Sequence, residues 1–210
     1  MTTFDPDHER HILLAREVIK NEARALDEAA ANIGHDFVEA VEMIATSHGA
    51  LGIIGVGKSG HVARKLSSTF ASTGTPATFL HAGDVVHGDL GGLHKGDTVM
   101  IISHSGETPE IVALLPMVKR MDLPIIAITD GARSTLALVA NIVVVPGNVS
   151  RADPIGLAPT ASSAAALAIG DAMALAVAQH HGYTTADFEH KPGGALGRLM
   201  ESVYRRPSDG

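Results

Sequence analysis

Cysteine and tryptophan are absent from this chain of 210 residues, and other aromatic side chains are few, with two Tyr and five Phe. Without cysteine there can be no disulfide, no thiolate nucleophile and no Cys-ligated zinc. With so few aromatic residues, the core must be filled by Val, Ile, Leu and Ala, which make up most of the 45% of hydrophobic residues. That composition favours a parallel β-sheet covered by helices on both faces.

Positive charge is also scarce, since 16 Lys and Arg stand against 23 Asp and Glu, for a net charge of -7. A nucleic-acid surface needs a basic face, so that class of protein is excluded. The polar N-terminus carries no signal-peptide core, and the sequence leads us to expect no membrane span. We therefore expect a soluble, cytoplasmic protein.

Short apolar runs alternate with amphipathic segments along the chain, which is typical of βαβ units and a parallel sheet. The predicted fold is an α/β three-layer αβα sandwich with a five-stranded parallel sheet. We expect a single domain over residues 1–210, with N-terminal helices at about 7–48, an α/β core at about 51–180 and a C-terminal loop and short helix at about 183–203. The predicted strands are 51–56, 78–80, 98–103, 124–129 and 142–145, and the predicted core helices are 59–72, 109–121, 133–139 and 160–180.

A glycine-rich loop, Gly55–Gly60, follows the first predicted strand and opens a helix. In open α/β sheets, ligands bind outside the carboxyl ends of the strands, and a helix N-terminus there offers free N–H groups to an anion. The spacing matches neither a Walker loop nor a dinucleotide fingerprint. Anion binding and an ordinary tight turn are equally good explanations of this loop taken alone.

The loop after the third strand, Ser103–Glu110, is the stronger indication of an anion site. Ser103 and Ser105 flank His104, and Thr108 precedes Pro109 at the position expected for a helix N-cap. A cap accounts for Thr108 but not for two further hydroxyls just upstream. Hydroxyl-rich loops at helix N-termini bind phosphate through neutral donors, so this segment predicts a phosphate site.

Two further segments are polar and rich in glycine. The stretch His81–Gly92 holds two His and two Asp, which could transfer protons, bind a metal or simply face solvent. The stretch Phe188–Arg198 contains a Pro-Gly-Gly turn after Glu189, His190 and Lys191, and a surface loop is its simplest explanation.

Together these segments resemble the sugar isomerase (SIS) domain family, most closely its arabinose-5-phosphate isomerase branch. The resemblance spans roughly residues 10 to 200 and is carried by Gly57-Lys58-Ser59-Gly60, Ser72-Thr73-Gly74-Thr75-Pro76, His87-Gly88-Asp89-Leu90-Gly91, Ser105-Gly106-Glu107-Thr108, Gly156-Leu157-Ala158-Pro159-Thr160 and Pro192-Gly193-Gly194-Ala195-Leu196-Gly197. Many family members carry regulatory CBS modules after this point, and we expect none here.

The resemblance implies interconversion of arabinose 5-phosphate and ribulose 5-phosphate through an enediol, as a step toward the lipopolysaccharide sugar Kdo. It implies a homotetramer with active sites between subunits, His87 reaching a neighbouring subunit's site, and no cofactor and no metal. By similarity, Ser59, Ser103, Ser105 and Thr108 hold the phosphate, and the further substrate-binding candidates are Gly57, His104, Glu107, Asp89 and Arg151. The catalytic candidates are Lys58 for oxyanion stabilisation, His87 for ring opening or the hydroxyl protons, Glu110 as a base, and His190 or Lys191.

Two positions depart from the pattern of that branch. Lys191 precedes Pro192 where the branch typically has His, and Arg151 stands where it typically has Glu. Arg does not deprotonate in proteins, so it cannot replace a carboxylate base. Either His190 or a neutral Lys191 takes over the catalytic role of the absent side chains, or the substrate is a different phosphorylated sugar. A binding protein that has kept the pocket without turnover is the third possibility.

Overall fold

The structure is a computed structural model that describes residues 6–85, 88–147, 158–184 and 186–187. Four of the predicted site residues, His87, Arg151, His190 and Lys191, lie outside the described residues. The short helix expected near the C-terminus, within 196–203, lies outside them too.

Two helices precede the sheet, as the sequence predicts. They are α1 (Pro6–Asn32) and α2 (His35–Ala45), and Gly34 between them adopts an extended conformation that ends the first helix. The second helix buries Ala40, Val41 and Ile44, whose spacing places them on one face. That face joins the core on one side of the sheet.

All five predicted strands form, and they pair in parallel in the order β2-β1-β3-β4-β5. The strands are β1 (Leu51–Gly55), β2 (Ala77–His81), β3 (Thr98–Ile102), β4 (Ile125–Ile128) and β5 (Ile142–Val144). The connecting helices are α3 (Gly57–Ser72), α4 (Ala82–Val85), α5 (Pro109–Arg120), α6 (Thr135–Val139) and α7 (Thr160–His180). The predicted fold class is confirmed, and boundaries differ from expectation by a few residues.

Each central strand is buried on both faces, and its side chains alternate between two separate cores. Ile53, Met100 and Ile126 face a core shared with α1, α2, α3 and α7. Ile54, Ile101 and Ile125 face a second core shared with α4, α5 and α6. Alternating side chains of a strand point to opposite faces, so these two cores define the three layers.

The segment after β2 is more ordered in the structure than the sequence suggests. Its glycines pointed to a loop, yet Ala82–Val85 forms one helical turn and Asp89–Gly92 forms a 3₁₀ turn. The reason lies in its apolar residues, since Ala82, Val85 and Leu90 are buried in the second core. Burial of a few side chains therefore shapes a segment whose composition alone favours irregular structure.

One helix of the described part, α7, is long and apolar enough to cross a membrane by length and composition alone, contrary to the expectation from sequence. Half of its most apolar 18-residue segment is buried inside the protein. Ala165, Ile169 and Met173 lie in the core between the sheet and the N-terminal helices. These contacts are those of a core helix, which passes the same test of length and hydropathy.

The strand order also fixes where a ligand can bind. β1 lies between β2 and β3, so the chain leaves β1 toward one edge of the sheet and later continues from β3 toward the other. The crevice between the carboxyl ends of β1 and β3 is the topological switch point, where open α/β sheets bind ligands. The segments that follow Gly55 and Ile102 open into this crevice.

Candidate functional site

Three loops meet at the carboxyl edge of the sheet, because β1, β3 and β4 are neighbours. They begin at Val56, Ser103 and Thr129, one residue beyond the end of each strand. Two of them were predicted to carry the site, and the third was not. The first turn of α7 adds a fourth group of side chains to the same cleft.

The loop after β1 turns directly into α3. Gly55 is required there, because a side chain on it would meet the Ser59 carbonyl oxygen at 2.7 Å. Val56 is the N-cap residue and provides no side-chain cap, so no hydroxyl or carboxylate of the cap residue competes for the first N–H groups of α3. Gly57 has φ 57° and open space beside it. Lys58 and the half-buried Ser59 then line the cleft.

The loop after β3 is held in shape by its own hydroxyls. Ser103 Oγ lies 3.0 Å from Thr108 Oγ1 and accepts a hydrogen bond from Gly106 N at 3.2 Å. Ser105 Oγ accepts one from Glu107 N at 3.2 Å. Ser103 is buried, whereas Ser105 is exposed. The loop is therefore preformed, with Ser105 at its open side.

Thr108 occupies the predicted N-cap position of α5, but its side chain makes no capping bond and points to Ser103 instead. Pro109 follows it as the first helical residue, as predicted. A helix begun in this way keeps a positive dipole end without a capping oxygen from Thr108. This is the arrangement in which an anionic ligand can take the place of the cap.

Glu107, a substrate-binding candidate, uses both carboxylate oxygens inside the protein. Oε1 accepts a hydrogen bond from Thr135 N at 2.6 Å and Oε2 accepts one from Thr135 Oγ1 at 2.9 Å. The carboxylate thus binds the N-terminus of α6, where negative charge is stabilising. In the described structure Glu107 holds the loop against α6.

Gly106 is the tightest point of the loop. Its φ is 67°, and a side chain on it would overlap Ser134 Oγ, the atom that caps α6 by accepting from Ala137 N. The carbonyl of Gly106 also accepts a hydrogen bond from Leu136 N at 3.2 Å. Only glycine combines a positive φ at low cost with the absence of a side chain that would overlap Ser134.

The cleft between these loops has a volume of ≈ 40 Å³. Apolar residues such as Ile102 and Ile128 line part of it, and its polar lining comes from Lys58, Ser59, His104, Thr129, Asp130, Ser162 and Ser163. A volume of about 10–15 Å³ holds one water, so the cleft accepts a few polar atoms of a ligand. The hydroxyl loop lies beside it, joined through His104.

The side chains of His104 and Asp130 meet across this edge. His104 Nδ1 lies 2.6 Å from Asp130 Oδ2, with the side chains 48% and 18% exposed. The backbone joins them as well, because Asp130 N and Thr129 Oγ1 both donate to the His104 carbonyl oxygen, at 3.0 and 3.2 Å. Asp130 Oδ1 is buried without a hydrogen-bond partner in the described structure.

The first turn of α7 completes the cleft. Pro159 is the N-cap residue and provides no side-chain cap. Ser162 and Ser163 line the cleft, and Ser163 Oγ donates to the Pro159 carbonyl at 2.7 Å. Thr160 Oγ1 is buried and has no partner among the described residues. Three helices, α3, α5 and α7, thus begin at this edge with cap residues that supply no capping side chain.

Two further predicted residues, Glu110 and Asp89, lie outside the lining of the cleft. Glu110 is exposed in the first turn of α5, and Asp89 is exposed at the start of the 3₁₀ turn. His81, in the segment for which a metal site was considered, lies 3.8 Å from Asp84 through Nδ1. Within the described ranges, no three His, Asp or Glu side chains come together in a way that could hold a metal ion.

Four residues that line the cleft were not predicted from the sequence, namely Thr129, Asp130, Ser162 and Ser163. A usable signal was present for the first two, because Thr129-Asp130-Gly131 follows a predicted strand and meets the same carboxyl-end rule. For the serines the signal was weaker. They lie three and four residues after Pro159, and serines in a helix are ordinarily explained by solvent exposure or bonding to their own backbone.

The model of the SIS domain family matches residues 43–176. The chain therefore belongs to the SIS domain family.

Within the family, the chain is similar to several individual proteins. The chain is 43% identical over 187 residues to the arabinose 5-phosphate isomerase KdsD of Pseudomonas aeruginosa PAO1, and 44% identical over 186 residues to KdsD of Escherichia coli K12. These alignments cover 89% and 88% of this chain and 57% of each relative, so the chain spans little more than half the length of these curated relatives. A solved structure, that of c3406 from E. coli CFT073 in complex with arabinose 5-phosphate, is 41% identical with a TM-score of 0.83, covering 88% of this chain and 97% of that one.

Proposed function

We propose that this protein interconverts D-arabinose 5-phosphate and D-ribulose 5-phosphate, as an aldose–ketose isomerase. The proposal rests on one observation. The loop after β3 (Ser103–Thr108), called the phosphate loop below, and the cleft lined by Lys58 lie at the same carboxyl edge of the sheet. This edge belongs to a fold that matches, at TM-score 0.83 and 41% identity, a protein in complex with arabinose 5-phosphate. The similarity to KdsD enzymes supports the same reaction.

In this proposal the phosphate is held at the hydroxyl loop. Ser105 and Thr108 supply hydroxyl donors, Ser103 orients Thr108, and the N-termini of α3 and α5 supply N–H groups and positive dipole ends. Gly57 lets the backbone approach the ligand, and Ser59 reaches in from α3. Neutral donors are sufficient for a phosphate at such a site, which fits a chain of net charge -7.

The reacting carbons then extend toward Lys58. Isomerisation removes a proton beside the carbonyl and returns it to the neighbouring carbon through an enediol, so it needs a base, a group that moves hydroxyl protons and a donor for the developing oxyanion. Lys58 stabilises the oxyanion and Glu110 is the candidate base. His87 opens the sugar ring. Asp89, Arg151, His190 and Lys191 remain proposed substrate or catalytic residues.

We further propose a homotetramer, with His87 entering a neighbouring subunit's site. Exposed apolar side chains of α1 support an oligomer, since Leu13 and Ile19 are 58% and 66% exposed and Ile12 and Leu14 are 45% and 44% exposed. Several large apolar side chains exposed on one helix mark a contact surface. Light scattering coupled to size-exclusion chromatography tests this proposal, and a monomer at micromolar concentration would contradict it.

We place the enzyme in the cytoplasm, where phosphorylated sugars occur, and propose that its product is used for Kdo and lipopolysaccharide synthesis. The position Arg151 supports a second candidate, an isomerase of another phosphorylated sugar, because a guanidinium can bind an additional anionic or hydroxyl group.

One experiment tests the activity and separates these candidates. Purified protein is incubated with ribulose 5-phosphate, and new aldose phosphates are followed by ¹³C NMR. Formation of arabinose 5-phosphate supports the first proposal. Turnover of other sugar phosphates alone supports the second, and binding without turnover of any of them contradicts both and favours a sugar-phosphate-binding protein.

A further inference from the structure

We propose that His104, oriented by Asp130, is a catalytic residue that moves the hydroxyl protons of the sugar phosphate during isomerisation. This inference rests on the proposed isomerase function and assigns a proton-transfer role to a residue that the sequence suggested only as a binding group. The base that removes the carbon-bound proton remains a separate group.

The geometry of the His104–Asp130 pair suits proton transfer. Nδ1 of His104 and Oδ2 of Asp130 are 2.6 Å apart, which is short for a bond between nitrogen and a carboxylate oxygen. A carboxylate at Nδ1 keeps the proton on that nitrogen, so proton exchange with a ligand takes place at Nε2. The imidazole is half exposed, while its carboxylate partner is only 18% exposed.

The sheet fixes the relative position of His104 and Asp130. Ile102 is in register with Ile128, so His104 and Asp130 each stand two residues beyond paired positions of neighbouring strands. The hydrogen bonds from Asp130 N and Thr129 Oγ1 to the His104 carbonyl hold the two loops together. A side-chain pair anchored by its own backbone is rigid enough to present a group in one orientation.

The pair lies in the cleft where the sugar is proposed to bind. Both side chains line the cleft together with Lys58, and Ser103 and Ser105 of the phosphate loop are the immediate neighbours of His104 in the chain. A ligand anchored by its phosphate at that loop brings its sugar past His104.

Protons and electron pairs balance over the two halves of the reaction. The base takes a proton from C1 of the ketose, the C1–H electron pair forms the C1–C2 double bond, and the carbonyl π pair moves to O2, which takes a proton from the His104 imidazolium. In the second half, the O1–H electron pair forms the new carbonyl and its proton returns to His104. The double-bond pair then takes the proton back from the base at C2. His104 and the base end as they began.

The test measures steady-state kinetics with ribulose 5-phosphate for His104→Gln, Asp130→Asn and Asp130→Ala. General acid–base groups contribute about 100-fold or more to the rate, so we expect kcat to fall about 100-fold in His104→Gln while KM changes less than about threefold. In both Asp130 variants we expect a fall of at least about tenfold. Matched controls are His48→Gln and Asp122→Asn at the opposite edge of the sheet, which should retain the parent kcat.

A second readout does not depend on turnover. In ¹H NMR, the Nδ1 proton of His104 should give a low-field resonance that is lost in Asp130→Ala and His104→Gln and retained in Asp122→Asn. If the parent protein lacks turnover of ribulose 5-phosphate, the proposed function fails and this inference fails with it. If the parent turns over and the His104 and Asp130 variants keep kcat within about threefold, or only raise KM, this inference alone is overturned.

Discussion

Replacing Gly106 by alanine should destabilise the protein by about 3 kcal/mol. The backbone there has φ 67°, and an L-residue in this left-handed region costs about 1–2 kcal/mol. The new methyl group would also overlap Ser134 Oγ, so the serine must move and lose its capping bond to Ala137 N. Loss of an N-cap costs about 1 kcal/mol, and the buried position of Gly106 leaves little room for relief.

Gly182→Ala is the matched control, because its φ of 65° is nearly the same and a side chain there meets nothing within 4 Å. That variant should lose only the backbone part, about 1–2 kcal/mol. Urea unfolding followed by circular dichroism, with both variants at one protein concentration, measures the two losses. In the double variant Gly106→Ala, Ser134→Gly the loss should be smaller than the sum of the single losses. Equal losses in Gly106→Ala and Gly182→Ala would refute the steric reasoning.

Three further predictions concern the loop, a residue outside the described part and the opposite edge of the sheet. Ser105→Ala should raise KM for ribulose 5-phosphate by about 10- to 150-fold with little change in kcat, since a hydrogen bond to a charged group contributes about 1.5–3 kcal/mol; an unchanged KM would remove Ser105 from the phosphate site. His87→Ala should lower kcat for arabinose 5-phosphate, the cyclic substrate, about 100-fold and leave phosphate binding nearly intact, because ring opening needs a proton-transfer group; an unaltered kcat for that sugar would remove His87 from the mechanism. Asp97→Ala should cost about 2–4 kcal/mol in urea unfolding because two backbone donors, Ala50 N and His94 N, lose their buried acceptor at 2.7 Å. The folded fraction of the Asp97→Ala variant should keep the parent kcat. A kcat that falls together with stability would contradict the view that Asp97, at the amino edge of the sheet, has no part in the site at the carboxyl edge.

The elements of the sheet were predictable because strands such as 98–102 and 125–128 are continuous apolar runs between turn residues. Alternation of those runs with amphipathic segments predicts the three layers. The order β2-β1-β3-β4-β5 was not predictable from these patterns, because apolar runs of equal length do not specify which strands are neighbours. For the same reason the pairing of His104 with Asp130, which depends on β3 and β4 lying side by side, could not be foreseen.

Individual site residues illustrate what local patterns reveal. Thr108 was expected at the N-cap and is there, yet its hydroxyl contacts Ser103, because competition between a backbone donor and a neighbouring side chain is decided by tertiary geometry. The hydrogen bonds between Glu107 and Thr135 could not be foreseen, because Thr135 lies 28 residues further along the chain, and the contact of Glu107 with substrate stays a prediction. Lys58 and Ser59, by contrast, were predicted by a local rule, and they line the cleft.

A structure of the protein with arabinose 5-phosphate bound tests the central claim most directly. We expect phosphate oxygens within hydrogen-bond distance of the Ser105 and Thr108 hydroxyls, with the C1–C2 end of the sugar in the cleft beside Lys58 and His104. A ligand found instead at the amino edge of the sheet, in the open cleft beside His48 and Asp122, would contradict it.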